Sequence, residues 1–231
     1  MIEKILPSRV AVAEALSDPS DAVLFPGEEE LIRNSVESRR KEFTTARWCA
    51  RRALGTLGLA PVPILKGERG APIWPDGVVG SMTHCTGYRA AVVARREDML
   101  SVGVDAEPHE PLPDGVHETI ALATEQRRER ELRGVSPEIH WDRLLFSAKE
   151  SVYKAWFPLT HRWLGFEQAD IVLHSNGTFT AALLISAPEP DRAAGAAANA
   201  APTGFRGRWL VADGLVATAI AVENEPDTPA G

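Results

Sequence analysis

Residues 78–107 carry three strand-like apolar runs in close succession, 78–84, 88–95 and 101–107. Each run is rich in Val or small apolar residues and is bounded by turn formers. Pro108, Pro111 and Pro113 then break the regular structure. The pattern returns later in the chain. Runs 166–173 and 178–185 meet at Asn176-Gly177, and runs 208–212 and 215–222 meet at Asp213-Gly214, two hairpin signatures.

A helical segment precedes each group of strands. The first is expected over residues 27–57, with Glu28, Glu29 and Glu30 at the positive end of its dipole and Gly58 and Pro61 as its stop. It carries a basic band, Arg33, Arg39, Arg40, Lys41, Arg47, Arg51 and Arg52, whose plainest reading is a solvated face. The second is expected to start at Ser136-Pro137-Glu138 and to end near Trp156, ahead of Pro158, after a short polar helix over 124–133. Helix followed by antiparallel strands, twice, makes the fold α+β with two similar subdomains, 1–108 and 109–231. No internal sequence repeat accompanies this division. The Ala- and Pro-rich stretch 187–204 and the tail from Glu225 have too little large apolar content to pack and are expected to be mobile.

Composition removes several function classes. A net charge of −7 argues against a general nucleic-acid binder. No apolar run reaches the roughly 18 residues of a membrane span, and Met1-Ile2-Glu3-Lys4 does not open a secretory signal. Cys49 and Cys85 alone make neither a disulfide framework nor a zinc quartet, so a reducing cytoplasm is the expected location.

Three segments can carry chemistry. In Gly103-Val104-Asp105-Ala106-Glu107, strand alternation turns Asp105 and Glu107 to one face. Two adjacent carboxylates suit a magnesium ion, which takes one or two of them and fills its shell with water and substrate phosphate; two solvated acids leaving a strand are the plainer reading. In the second helix, Trp141, Leu145, Ala148, Val152 and Trp156 form an apolar stripe, and Glu150 and Lys154 fall off it. At four residues apart these two can pair on the surface for about 0.2–0.5 kcal/mol. Phe146 and Tyr153 flank the same face and suggest that something covers it. In Gly80-Ser81-Met82-Thr83-His84, Thr83 and His84 offer donors to phosphate oxygens, against the plainer reading of a structural histidine at a strand end.

Taken together and in this order, the segments resemble the larger type of 4'-phosphopantetheinyl transferase, which modifies carrier proteins of polyketide, peptide and lipid assembly lines. The stretch from Arg39 to Trp163, including Ile64-Leu65-Lys66-Gly67 and the Trp74-Pro75-Asp76-Gly77 turn, is similar to the actinobacterial branch. Phe146 departs from much of the family, where tryptophan is common. The resemblance implies a pseudo-twofold pair of α/β halves with the active site in the cleft between them. It implies Mg2+ on Asp105, Glu107 and the Ala106 carbonyl, with Glu150 close by, and coenzyme A as co-substrate. Arg39 and Arg47 would hold the adenosine end with its 3'-phosphate, and Lys66, Gly67, Glu68 and Arg69 would line the nucleotide pocket. Thr83, His84, Lys149 and Lys154 would meet the phosphates, and Trp163 would border the pantetheine arm. Glu150, Lys154 and Asp105 would be catalytic, with the two neighbouring lysines keeping the Glu150 carboxyl acidic. The partners implied are acyl or peptidyl carrier proteins, met transiently by a monomer. A degenerate binder of coenzyme A or of carrier proteins, and a magnesium-dependent phosphohydrolase, are the alternatives.

Overall fold

The computed structural model describes residues 1–185 and 202–224. Two antiparallel sheets organise them. Strands β1 (Ala11–Ala15), β2 (Val78–Cys85) and β3 (Tyr88–Arg95) form a sheet in the order β1-β3-β2. Strands β4 (Met99–Pro108), β5 (Ala169–His174), β6 (Thr178–Leu183), β7 (Gly204–Ala212) and β8 (Leu215–Glu223) form a second, in the order β4-β8-β7-β6-β5. Helix α1 (Glu37–Thr56) packs on the first sheet. Helix α4 (Trp141–Thr160) packs on the second, preceded by α2 (Val116–Ile120) and α3 (Ala123–Val135). Each half is therefore a helix on an antiparallel sheet. Strand β4 follows β3 directly in sequence yet pairs with β8, from Ser101 opposite Val222 to Pro108 opposite Leu215.

The side-chain period of two explains the layering. In β3, Ala91 and Val93 pack under α1, while Ala90, Val92 and Ala94 point into a middle core. That middle core takes Val102, Val104 and Ala106 of β4 and is closed by Ile2 and Ile5 of a short 3-10 turn. The alternate residues of β4, Ser101, Gly103, Asp105 and Glu107, are left to face α4. The expected stripe of α4 is buried throughout: Trp141, Leu145, Ala148, Val152 and Trp156 are all at most 1 % exposed.

Several expectations change. Residues 27–36 do not extend α1. Glu29–Ile32 form a 3-10 turn, and Glu28 is fully buried, accepting hydrogen bonds from Arg51 Nη1 at 2.9 Å and from the Ile64 and Phe25 amides, each at 2.7 Å. A helix running through Glu28 would forfeit that ion pair. Helix α4 begins at Trp141 rather than at Ser136, which caps the end of α3. It also runs through Pro158 to Thr160, where a proline in the last turn forfeits little of the hydrogen-bond ladder. Residues 166–168 form a 3-10 turn ahead of β5 rather than strand. Strand β1 and helix α2 were not expected. Gly204 opens β7, so the 187–204 stretch ends in a strand; its residues 187–201 and the tail from Glu225 lie outside the described residues.

Candidate active site

Strand β4 is held between its neighbours in two ways. One edge pairs with β8. On the other, the Val104 and Ala106 amides donate to the hydroxyls of Ser81 and Thr83 on β2, each at 3.1 Å. These hydroxyls stitch the two sheets together. The N–H and C=O of one strand residue point the same way, so the Ala106 carbonyl also looks toward β2.

The acids lie on the α4 side of β4. Asp105 is 4 % exposed; its Oδ1 accepts from Thr83 at 3.2 Å and from Lys154 Nζ at 2.7 Å. Its Oδ2 is buried without a partner among the described residues. Glu107 accepts from Arg143 Nη1 at 3.1 Å, and that guanidinium also binds the Glu110 and Pro111 carbonyls. Burial, and then the nearby Asp105 charge, push the Glu107 carboxyl up to about 7 against the pull of Arg143 and Lys154. Burial also raises Glu150, opposed by Lys154 and reinforced by Asp105. The expectation of an acidic Glu150 is therefore corrected. Lys154 is engaged by Asp105 and the Val104 carbonyl rather than paired with Glu150, and Lys149 points elsewhere.

Beside these acids opens a cleft of about 560 Å³, bounded by α1, the 66–77 loop, β2 and α4. Arg39, Arg47, Lys66, Arg69, His84, Glu150 and Lys154 all line it. At one end the cations crowd together. Arg47 is 4 % exposed, donates through Nε to the Ile64 carbonyl at 2.9 Å and lies 3.2 Å over the Phe43 ring. Its burial lowers the pKa to about 10. Lys66 sits 5.4 Å over the same ring, and its pKa falls through burial and through Arg39 and Arg47. Arg39 lies 2.6 Å from His84 Nε2, and the imidazole is held below its ordinary value by burial and then by Arg39. Glu42 at 3.4 Å from Arg39 and Glu28 at 3.9 Å from Arg47 answer part of this charge, and the excess of cations lining the cleft favours an anionic occupant. A second cavity, of about 180 Å³, continues from Glu150 and Tyr153 past Trp163, Leu164, Gly165 and Phe166.

Several of the expected site residues do not line the large cleft, Asp105 and Glu107 among them. Thr83 is buried, its hydroxyl spent between Asp105 and the Ala106 amide. Gly67 and Glu68 belong to the loop's outer turn, and Glu68 meets exposed His161 at 3.8 Å. Lys149 borders only the second, smaller cavity. Its Nζ is saturated by the Phe166 and Ala169 carbonyls at 2.7 and 2.8 Å and by Glu125 at 3.0 Å, both side chains being 1 % exposed. A turn of α4 is about 3.6 residues, so adjacent residues diverge by about 100°; Glu150 takes the large cleft, while Lys149 is buried against Glu125 beside the second cavity. Ala106 buries its side chain in the middle core and can offer only its carbonyl. Trp163, 60 % exposed, borders the second cavity with Arg69 5.6 Å from its ring.

Other lining residues were not expected. Phe43 underlies two cations, and its place four residues before Arg47 is the sequence sign of that stack. Trp74 packs against Gly80, donating to its carbonyl at 3.0 Å, where a Cβ would sit 2.9 Å from the indole. Nothing local in the sequence marks Arg143 as the partner of Glu107. Tyr153 lines both cavities, whereas Phe146 packs against Phe166 at 6.0 Å.

No group of three His, Cys, Asp or Glu side chains among the described residues is close enough to hold a metal ion unaided. The partnerless Asp105 oxygen beside Glu107 and Glu150 instead fits a cation that takes two carboxylates and completes its shell with water and phosphate.

Comparison with known proteins gives the same order of parts. Residues 27–94 match the model of the 4'-phosphopantetheinyl transferase N-terminal domain, and residues 101–203 match that of the 4'-phosphopantetheinyl transferase superfamily. The chain is 51% identical to the 4'-phosphopantetheinyl transferase Npt of Nocardia iowensis, over 96% of its own length and 99% of that protein's. It is 50% identical to PptT of Mycobacterium tuberculosis, over 96% and 98% of the two chains. Enterobactin synthase component D of Salmonella typhi is 33% identical over 58% of this chain and 55% of that one.

Proposed function

Because this chain belongs to the 4'-phosphopantetheinyl transferase superfamily and moves 4'-phosphopantetheine from coenzyme A to a carrier protein, we propose that the cleft between α1, β2 and α4 is where the transfer occurs. The observation that carries this is the polarity of the cleft. Arg39, Arg47 and Lys66 line the cleft together with Glu150 and Lys154, and Lys154 reaches from it to Asp105. The 3'-phosphate and adenosine go to the arginine end, where a guanidinium fork matches a phosphate face. The diphosphate lies toward His84 and Lys154. The pantetheine arm follows the second cavity past Trp163.

A Mg2+ ion would be held by Asp105, Glu107 and the Ala106 carbonyl, with Glu150 close by, and would supply charge neutralisation for the diphosphate. The chain's own groups do the rest. The carrier's serine oxygen forms a bond to the β-phosphorus as the bond to 3',5'-ADP breaks. The serine proton passes to Glu150, directly or through a water, and burial raises the basicity of that carboxylate. Lys154 and His84 meet the charge left on the departing phosphate. The carrier is acyl or peptidyl, the enzyme acts as a cytoplasmic monomer, and residues 1–108 and 109–231 serve as one transferase unit. Among the described residues no helix is long and apolar enough to cross a membrane.

Incubation with coenzyme A, Mg2+ and an apo carrier, read by intact-protein mass, tests this. The expected result is one phosphopantetheine per carrier serine, lost with a chelator and in Asp105→Ala. Consumption of coenzyme A without a carrier would favour a hydrolase, and coenzyme A binding without either reaction a degenerate binder. Full transfer by Asp105→Ala in the presence of chelator would remove the cation from the site.

A further inference from the structure

Lys154 stands where the two charge systems of the cleft meet. Its Nζ donates to Asp105 Oδ1 at 2.7 Å and to the Val104 carbonyl at 3.1 Å. An ammonium has three protons to give, so one remains for the cleft that the side chain lines. The two members of the pair differ in freedom. The Asp105 side chain is 5 % exposed and is also fixed by Thr83, while the Lys154 side chain is 25 % exposed on a flexible four-carbon stem. Asp105 Oδ2 is buried without a partner, so the carboxylate is only half satisfied by the lysine. The Asp105 charge is also felt by Glu107 and by Glu150, and of these Arg143 answers only Glu107.

We infer that Lys154 is an exchangeable counter-ion, which holds the Asp105 carboxylate as a cation would and gives it up to a divalent cation when a diphosphate offers the ammonium a new acceptor. The inference rests on the reading of Asp105 as a cation ligand. The exchange balances without any bond being made or broken covalently. Asp105 trades one positive partner for another, and Nζ trades a carboxylate oxygen for a phosphate oxygen. A divalent cation arriving alone meets an ammonium already seated on its carboxylate and is repelled by it. One arriving with the diphosphate does not. Cation and coenzyme A therefore bind with positive coupling, and the coupling is reciprocal. Lys154 contributes a share of it by opposing the cation when alone and binding the diphosphate when both are present.

The test is the sign of a change in Mn2+ affinity. Free Mn2+ is read by electron paramagnetic resonance on the wild type, Lys154→Met and Lys154→Gln, with and without coenzyme A, and transfer to an apo carrier is assayed on the same wild-type sample. With coenzyme A absent, both variants should bind Mn2+ at least about fivefold tighter than wild type, the low end of ordinary coupling, while their affinity for coenzyme A falls. A lysine that merely fixes Asp105 predicts the reverse, looser Mn2+ in both variants. Unchanged or weaker Mn2+ binding in the variants overturns the exchange, and leaves the transferase reading standing if the wild type modifies the carrier. A wild type that modifies the carrier yet binds no Mn2+ in either condition overturns the cation site and the exchange with it. Lys154→Gln keeps a hydrogen-bonding end and removes only the charge, so agreement between the two variants assigns the effect to charge.

Discussion

At the scale of single residues, adjacent side chains on α4 have opposite fates, and this separates two predictions. Glu150 faces the cleft with its carboxyl raised by burial. Glu150→Gln should lower turnover by about 10²–10⁴-fold, the usual worth of a general base, while coenzyme A affinity stays within a few-fold. A variant that modifies the carrier within about threefold of wild type would make Glu150 a bystander. Lys149 is locked to Glu125 and two carbonyls. Lys149→Met leaves a carboxylate buried without its partner, which costs roughly 3–5 kcal/mol. Denaturant unfolding should register that loss, and coenzyme A affinity of the folded fraction should hold. A stable variant with weakened coenzyme A binding would instead put Lys149 on the phosphates. On α1, Arg39→Ala and Arg47→Ala should weaken coenzyme A by at least about tenfold, since a charge-assisted hydrogen bond is worth about 1.5–3 kcal/mol. Dephospho-coenzyme A should suffer less, and equal losses for both ligands in a calorimetric titration would show that neither arginine reads the 3'-phosphate.

At the scale of elements, the site depends on how closely α4 lies on β4. Gly103 makes the approach possible: a Cβ there would sit 2.6 Å from the Ala155 amide and closer still to the Ser151 carbonyl. Hydroxyls then fix the register. Ser101 Oγ donates to the Ala155 carbonyl at 2.8 Å, and Ser147 and Ser151 both meet the Thr218 hydroxyl of β8, at 3.0 and 2.6 Å. Gly103→Ala must push α4 outward, carrying Glu150 and Lys154 away from Asp105 while leaving the α1 cations in place. Turnover should fall at least about a hundredfold, the cost of misplacing reacting groups by about 1 Å, with a much smaller change in coenzyme A affinity. Wild-type turnover would show that the helix–strand distance does not set the chemistry.

At the scale of the whole molecule, the middle core is closed by the N-terminal 3-10 turn, and Glu14 of β1 ties that turn down. Burial alone would raise the Glu14 carboxyl, but the Met1 ammonium, the Tyr88 hydroxyl and the Ile2 amide at 2.8 Å outweigh it and hold the pKa below its ordinary 4.5. A depressed folded pKa means that the stabilisation is fully present above about 4.5 and is lost as pH falls through the lower folded value. Thermal melts should therefore decline steeply on the acid side of pH 4.5. In Glu14→Gln the melting temperature should be lower at pH 7 and the acid decline shallower. An unchanged slope would assign the acid sensitivity to other carboxylates.

Much of this was legible locally. Strand alternation put Asp105 and Glu107 on one face, helical spacing separated Glu150 and Lys154 from the stripe of Trp141 and Trp156, and the Asn176-Gly177 and Asp213-Gly214 turns placed both late hairpins, with Gly177, Asp213 and Gly214 all at positive φ. These follow from short-range rules that a few neighbouring residues satisfy by themselves. Partnership did not follow from such rules. That Glu28 would leave the first helix to pair with Arg51, that Lys154 would choose Asp105 over Glu150, and that Arg143 would take Glu107 depended on groups 23, 49 and 36 residues apart in the chain. A charge selects its partner by distance and desolvation in the folded state, and a sequence records neither until the two sheets have closed on each other.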